Sequence, residues 1–180
     1  MTTQLPGATG FGGQADLPAE LGATFDHVAI AAPRIRDLLP LWRDTLGGRF
    51  ALGADSAQTG WRTVRLLLGG VMCVELIEPL QGSAFLDGFF RRNPAGGVHH
   101  VTFLVDDVQA AFDRLSAGGY QPFGADEKWF QLFVHPRNAG GVLLQLMRRQ
   151  PDAPPVSRPA MTIDDVLAGR GLFGTGLSSP

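Results

Sequence analysis

Two short strings hold the residues best suited to chemistry in this chain: Asp26-His27-Val28-Ala29-Ile30 and His99-His100-Val101-Thr102-Phe103. In each, a histidine stands second at the opening of an apolar run, and the two are 73 residues apart (100 − 27). A strand imidazole either completes a hydrogen-bonded core or binds a metal; two at matching places in a repeat favour the metal. A second pair stands 70 residues apart (145 − 75): Glu75 in Val74-Glu75-Leu76 and Gln145 in Leu144-Gln145-Leu146. A carboxylate between apolar neighbours is costly to bury unpaired. Two imidazoles, one carboxylate and one amide oxygen suit a divalent ion such as Zn²⁺, Mn²⁺, Co²⁺, Ni²⁺ or Fe²⁺, with positions left for substrate or water. The residue types do not choose among these metals.

The elements that must position these four side chains repeat in the same order. The first half reads as a strand Asp26–Ala31, then a helix with Leu38, Leu39, Trp42 and Leu46 on one face, Pro40 in its first turn, Arg36 or Asp37 as its cap, and Gly47-Gly48 as its stop. Extended segments follow near Arg49–Leu52, Trp61–Leu68 and Met72–Glu78, then a short apolar helix carrying Phe85, Leu86, Phe89 and Phe90. The second half reads as strand His99–Val105, a helix capped by Asp106 or Asp107 with Val108, Ala111, Phe112 and Leu115 inward, and strands near Tyr120–Phe123, Trp129–His135 and Val142–Met147. The expected fold is α+β, two successive βαβββ modules. Strand alternation then turns His27, Glu75, His100 and Gln145 to one face.

Composition sets bounds on function. The 180 residues, 44% hydrophobic, suffice for one domain, expected over residues 23–149 with modules near 24–80 and 97–148. Residues 1–22 read as a tail, and 150–180 as an extension whose Thr162 and Asp165 open a short helix over 162–169. That helix could dock on the domain, cover the site as a lid, or pack on a second subunit. A net charge of −2 argues against nucleic acid and polybasic membrane binding, no apolar run approaches a bilayer span, and Cys73 has no disulfide partner. The expectation is a cytoplasmic protein, a homodimer, acting on a small molecule.

From about Thr24 to Met147 the chain resembles the vicinal oxygen chelate superfamily (glyoxalase, bleomycin-resistance and extradiol dioxygenase folds) and, within it, the methylmalonyl-CoA epimerases. The supporting strings are Asp26-His27-Val28-Ala29-Ile30, Trp42-Arg43-Asp44-Thr45-Leu46-Gly47, Val74-Glu75-Leu76-Ile77-Glu78-Pro79, Gly97-Val98-His99-His100-Val101, Val105-Asp106-Asp107-Val108, and Val134-His135-Pro136 with Gly140-Gly141-Val142-Leu143-Leu144. The resemblance implies that the two βαβββ modules form a cupped, mostly antiparallel eight-stranded sheet with helices outside, with a divalent metal in the cup, chelation of vicinal oxygens and a stabilised enolate. It also implies a last-strand carboxylate where this chain has Gln145, and a Glu where it has Gln58, two residues before Gly60. Epimerisation by proton removal on one face and return on the other needs two acid/base groups. An amide cannot accept a proton at neutral pH, so Glu75 is left as a single catalytic base.

The expected activity is thus a metal-dependent isomerase or lyase working on a small carbonyl compound or an acyl-CoA thioester, by enolisation, a proton shift or elimination. The alternatives are a non-haem iron dioxygenase built on His27, His100 and Glu75, and a non-catalytic binding protein of the bleomycin-resistance type. The metal set is His27, Glu75, His100 and Gln145; Gln58, Trp61, Trp129 and Lys128 are expected at the substrate, with Trp61 and Trp129 as matching walls of the cup. His99 reads as a residue behind the site or facing outward, and Arg91, Arg92 and Arg137 as cations for coenzyme A phosphates or a solvated face.

Overall fold

The computed structural model describes residues 21–150 and 161–171. The N-terminal tail up to residue 20, the Pro-rich stretch 151–160 and residues 172–180 lie outside the described residues. The strands are β1 (Thr24–Ala31), β2 (Arg49–Ser56), β3 (Trp61–Leu68), β4 (Met72–Pro79), β5 (Gly97–Val105), β6 (Pro122–Phe123), β7 (Gln131–Val134) and β8 (Leu143–Arg148). They form one eight-stranded sheet in the order β2-β3-β4-β1-β5-β8-β7-β6. The β1–β4 and β5–β8 pairs are parallel and every other pair is antiparallel. This is the α+β architecture of two equivalent halves. They meet along β1–β5, where Val28 pairs with Val101. His27↔Thr102 and Ala29↔His100 flank that pair symmetrically, so the pseudo-twofold axis passes through the Val28–Val101 pair.

Alternation along each strand separates two faces. Val28, Ile30, Val64, Leu66, Val74 and Leu76 face the larger core with Ile35 and Leu39. Leu132, Val134, Leu144 and Leu146 face the second core with α2 (Val108–Ala117). The opposite face gathers His27, Thr63, Glu75, His100, Thr102 and Gln145, all buried. Helix α2 begins at Asp107, whose carboxylate accepts from Ala110 N at 2.9 Å, and Val108 and Ala111 anchor it. Helix α1 (Asp87–Phe90) is one short turn beside buried Leu86.

The first connection departs from the expected α-helix. It is a 3-10 turn, Ile35–Asp37, followed by a π-type helix, Pro40–Thr45, with Leu46 N donating to Leu41 O at 2.9 Å. Pro40 has no N–H to give, which interrupts a continuous α ladder. Asp37 pairs with Arg34 instead of capping the helix. The wider turns rotate Leu46 off the apolar face, leaving it 51% exposed. Gly48 ends the segment where a Cβ would lie 2.4 Å from Trp42 O. β7 starts later than its apolar pattern indicates, because Trp129 holds φ 48, outside strand geometry.

Helix α3 (Ile163–Leu167) carries the capping box of Thr162 and Asp165. Its Ile163 and Val166 enter the larger core beside Val64 and Leu66. Arg62 fastens its end: Nη1 donates to Leu167 O at 2.9 Å and to Glu78 at 3.0 Å, and Nε donates to Asp55 at 2.6 Å. The helix therefore backs the sheet on the face opposite the histidines and is not a lid. No helix among the described residues is long and apolar enough to cross a membrane.

Candidate metal centre

His27 from β1, Glu75 from β4 and His100 from β5 converge on the buried face. His27 Nε2 lies 3.3 Å from His100 Nε2 and 3.2 Å from Glu75 Oε2, and His100 Nε2 lies 3.4 Å from Glu75 Oε2. The three atoms make a nearly equilateral triangle. Ligands about 2.1 Å from one ion stand about 3.0 Å apart at right angles and about 3.4 Å apart at tetrahedral angles. The observed spacings match that range, and two imidazole nitrogens and a carboxylate oxygen converging on one point are a donor set that a divalent cation takes by displacing the imidazole protons. The residues present therefore fit a divalent ion.

Each corner is held from behind. Asp26 Oδ2 lies 2.6 Å from His27 Nδ1, and His99 Nδ1 lies 2.9 Å from His100 Nδ1. Glu75 Oε1 accepts from Thr63 Oγ1 at 2.8 Å and Arg65 Nε at 3.1 Å, leaving Oε2 for the cluster. Thr63 and Arg65 come from β3, where Arg65 pairs directly with Glu75. At the related place in the second half, Phe133 pairs with Gln145, and Gln145 Nε2 donates to Gln131 Oε1 at 2.7 Å. The neighbours thus differ as the two side chains do: a cation and a hydroxyl beside the carboxylate, an apolar ring and an acceptor beside the amide. The Gln145 amide oxygen accepts from Thr102 Oγ1 at 2.7 Å, and Thr102 Oγ1 is 3.1 Å from His27 Nε2. Gln145 reaches the triangle through that hydroxyl.

The charges settle accordingly. Burial alone would raise the Glu75 carboxyl, but the Arg65 cation and the hydrogen bonds from His100 and His27 outweigh it and hold the group well below the usual carboxylate range. Burial pulls His27 down, yet hydrogen bonds to Asp26 and Glu75 leave it raised. The His27 hydrogen bond lowers Asp26. Burial, reinforced by His100, pushes His99 down to about 4, so it is neutral at pH 7.

Trp61 comes to the site: its ring centroid lies 6.1 Å from His100 and 5.5 Å from Phe85. Gln58 sits exposed in the β2–β3 turn, on a shallow pocket of about 460 Å³ shared with Gly60, Ser83 and Phe85. The pocket is two rings from the histidines. Trp129 is not a matching wall, because it packs on Phe112 at 5.5 Å within the helix-side core. Its positive φ takes it out of the alternation that places Trp61. Lys128 is exposed beside it, with its carbonyl accepting from Arg148. Sequence reasoning missed Asp26, Thr63, Arg65, Thr102 and Gln131. Thr63 and Arg65 alternate with buried Val64 and Leu66, a pattern that puts them on the Glu75 face once the β3–β4 register is known.

Comparison with known proteins finds relatives of this sequence and fold. The Glyoxalase/Bleomycin resistance protein/Dioxygenase superfamily matches residues 26–131. The ethylmalonyl-CoA/methylmalonyl-CoA epimerase of Cereibacter sphaeroides is 34% identical over 127 residues, covering 67% of this chain and 94% of that protein. The mitochondrial methylmalonyl-CoA epimerase of Mus musculus is also 34% identical over 127 residues, covering 67% and 70%. Among solved structures, methylmalonyl-CoA epimerase from Mycobacterium tuberculosis superposes with a TM-score of 0.63 at 25% identity, over 76% of this chain and 95% of that one. A variant of the Streptomyces coelicolor epimerase in complex with 2-nitronate-propionyl-CoA gives 0.58 at 25% identity, over 69% and 95%.

Proposed function

The chain belongs to the glyoxalase/bleomycin resistance protein/dioxygenase superfamily, and from that premise we propose that it is a metal-dependent isomerase or lyase that takes a proton from the carbon next to the carbonyl of an acyl-CoA thioester. The observation that carries this reading is the triangle of His27 Nε2, His100 Nε2 and Glu75 Oε2. These atoms would hold the ion, and Gln145, expected from the sequence as a fourth ligand, stands behind Thr102 with its amide oxygen accepting from that hydroxyl. The bound ion would act as a Lewis acid that polarises the substrate carbonyl and acidifies the neighbouring C–H. Similarity to relatives named for ethylmalonyl-CoA and methylmalonyl-CoA supports a carboxylated acyl group.

The chain's own residues do the rest. Thr63 and Arg65 pin Glu75 Oε1, so Oε2 is the carboxylate oxygen presented to the site, which would hold the ion at rest and accept the proton on loosening from it. A carboxylate held toward its ionised form by Arg65 is a weaker base than a free one, so the reaction would depend on a carbon acid acidified by its carbonyl. On the opposite side Gln145 can donate and accept hydrogen bonds but cannot hold a proton. The proton therefore leaves and returns on one face, giving exchange with little inversion. Trp61 walls the site on the Phe85 side, and Gln58 lies at its outer pocket. We assign exposed Arg91 and Arg92 to the coenzyme A phosphates.

One observation favours a second reading: two histidines and one carboxylate on one face are the ligand set of non-haem Fe²⁺ oxygenases. The test is metal uptake. Purified protein dialysed against Co²⁺, Zn²⁺ or Fe²⁺ should retain an ion that His27→Ala and His100→Ala lose; protein that retains none of them sinks both readings. Oxygen consumption by the Fe²⁺ form with an acyl-CoA or a catechol would move the choice to the oxygenase.

A further inference from the structure

The β1–β5 pairing holds two irregularities at symmetry-related places. Phe25 pairs with Phe103 and His27 with Thr102, so Asp26 is an extra residue on β1. Ala29 pairs with His100 and Ile30 with Val98, so His99 is an extra residue on β5. Each β-bulge falls one residue before a histidine of the triangle. In a regular strand, neighbouring side chains point to opposite faces, and Asp26 and His99 would turn away from the rings that follow them. A bulge breaks that alternation and re-aims a side chain. Here it brings Asp26 Oδ2 to 2.6 Å from His27 Nδ1 and His99 Nδ1 to 2.9 Å from His100 Nδ1.

We propose that the paired bulges make Asp26 and His99 the positioning residues of the centre, each accepting a hydrogen bond from Nδ1–H of the next histidine so that both Nε2 atoms face the ion. This rests on the metal reading of His27, Glu75 and His100. The outer nitrogen's hydrogen bond decides which tautomer a histidine adopts, and only the Nδ1–H tautomer leaves Nε2 open for ligation. The two acceptors are unequal. Asp26 is a carboxylate with Arg65 Nη1 at 3.5 Å, whereas His99 offers an imidazole nitrogen and packs edge-on against Phe89 at 5.2 Å. A charged acceptor draws the Nδ1 proton more strongly, so His27 is the better electron donor of the pair and His100 the weaker. The histidines match by symmetry but not in strength.

The experiment uses full-length protein and four variants: His99→Phe and Asp26→Leu remove the acceptor while keeping bulk, and His99→Gln and Asp26→Asn retain an acceptor oxygen. Nitrogen-15 NMR of metal-free protein should show a proton held on Nδ1 of both His27 and His100. In His99→Phe only His100, and in Asp26→Leu only His27, should drift toward Nε2–H. Co²⁺ titration followed by visible absorption should show affinity falling about 10-fold in His99→Phe and toward 100-fold in Asp26→Leu, with the amide variants recovering much of the loss. Unchanged tautomers, or Co²⁺ affinities within twofold of wild type in both acceptor-free variants, would overturn the proposal. Wild-type protein that binds no Co²⁺ would defeat the metal reading instead, and the tautomer measurement would still decide whether Asp26 and His99 set the rings.

Discussion

Replacing Arg65 with Met tests whether the carboxylate at the centre depends on the cation beside it. Glu75 is buried, with 4% of its surface exposed, and Arg65 Nε is 3.1 Å from Oε1. At an effective dielectric constant of about 20, opposite charges at that distance attract by about 5 kcal/mol before any compensation. Breaking one side of a buried pair costs about 3–5 kcal/mol, since the remaining charge stays buried. Thr63, His27 and His100 still contact Glu75 in Arg65→Met, which places the loss near the lower end, about 3 kcal/mol in metal-free protein. The pH dependence gives the sign. In wild type the depressed carboxyl contributes stability that is present above its unfolded value of 4.5 and is lost only as pH falls through the lower folded value. Without Arg65 the folded value rises, so the deficit is full at neutral pH and shrinks as pH falls through the variant's folded value toward the lower wild-type one. Urea unfolding of metal-free protein at several pH values measures this. The paired substitution Arg65→Met with Glu75→Gln should recover at least about 1 kcal/mol relative to additivity. A pH-independent deficit, or additive effects in the double variant, would refute the reasoning.

Gln145→Glu places a carboxylate across from Glu75, and chiral analysis of recovered acyl-CoA should show inversion rising about 100-fold relative to wild type; unchanged inversion would mean the amide is not what limits the reaction. Val166→Ala removes two methyl groups from a fully buried site on the far face of the sheet, so thermal or urea unfolding should show a loss of about 2 kcal/mol with Co²⁺ affinity unchanged within twofold. Gly96 holds φ 89, and a Cβ there would lie 2.3 Å from Ala31 O. Gly96→Ala should therefore cost about 2 kcal/mol or more by urea unfolding and loosen the turn that leads to His99 and His100.

How much of this was legible in the chain depended on whether position or register carried the information. Period-two alternation and the duplicated strings brought His27, Glu75, His100 and Gln145 to one face, because each is followed in its strand by an apolar residue that turns to the other face. The bulges at Asp26 and His99 were invisible: one unpaired residue leaves no compositional trace and appears only in the pairing of β1 with β5. Arg65 looked like a strand residue between Val64 and Leu66, and its partner appeared only with the β3–β4 register. The analogy between Trp61 and Trp129 failed because the second half enters β7 two residues later, so Gln131 occupies the place 70 residues after Trp61. At Pro40 a local backbone limit overrode the apolar helical period and yielded the 3-10 and π turns.

The central claim is that Glu75, beside a divalent ion, removes the proton next to the thioester carbonyl. Incubation of Co²⁺- or Mn²⁺-loaded protein with methylmalonyl-CoA in D₂O, read by mass spectrometry and proton NMR, tests it most directly. Deuterium should enter the carbon between the thioester and the carboxyl group, with little inversion, and the exchange should disappear with Glu75→Gln or with chelator. Metal-loaded wild-type protein that exchanges no deuterium, or a Glu75→Gln variant that exchanges at the wild-type rate, would contradict the account.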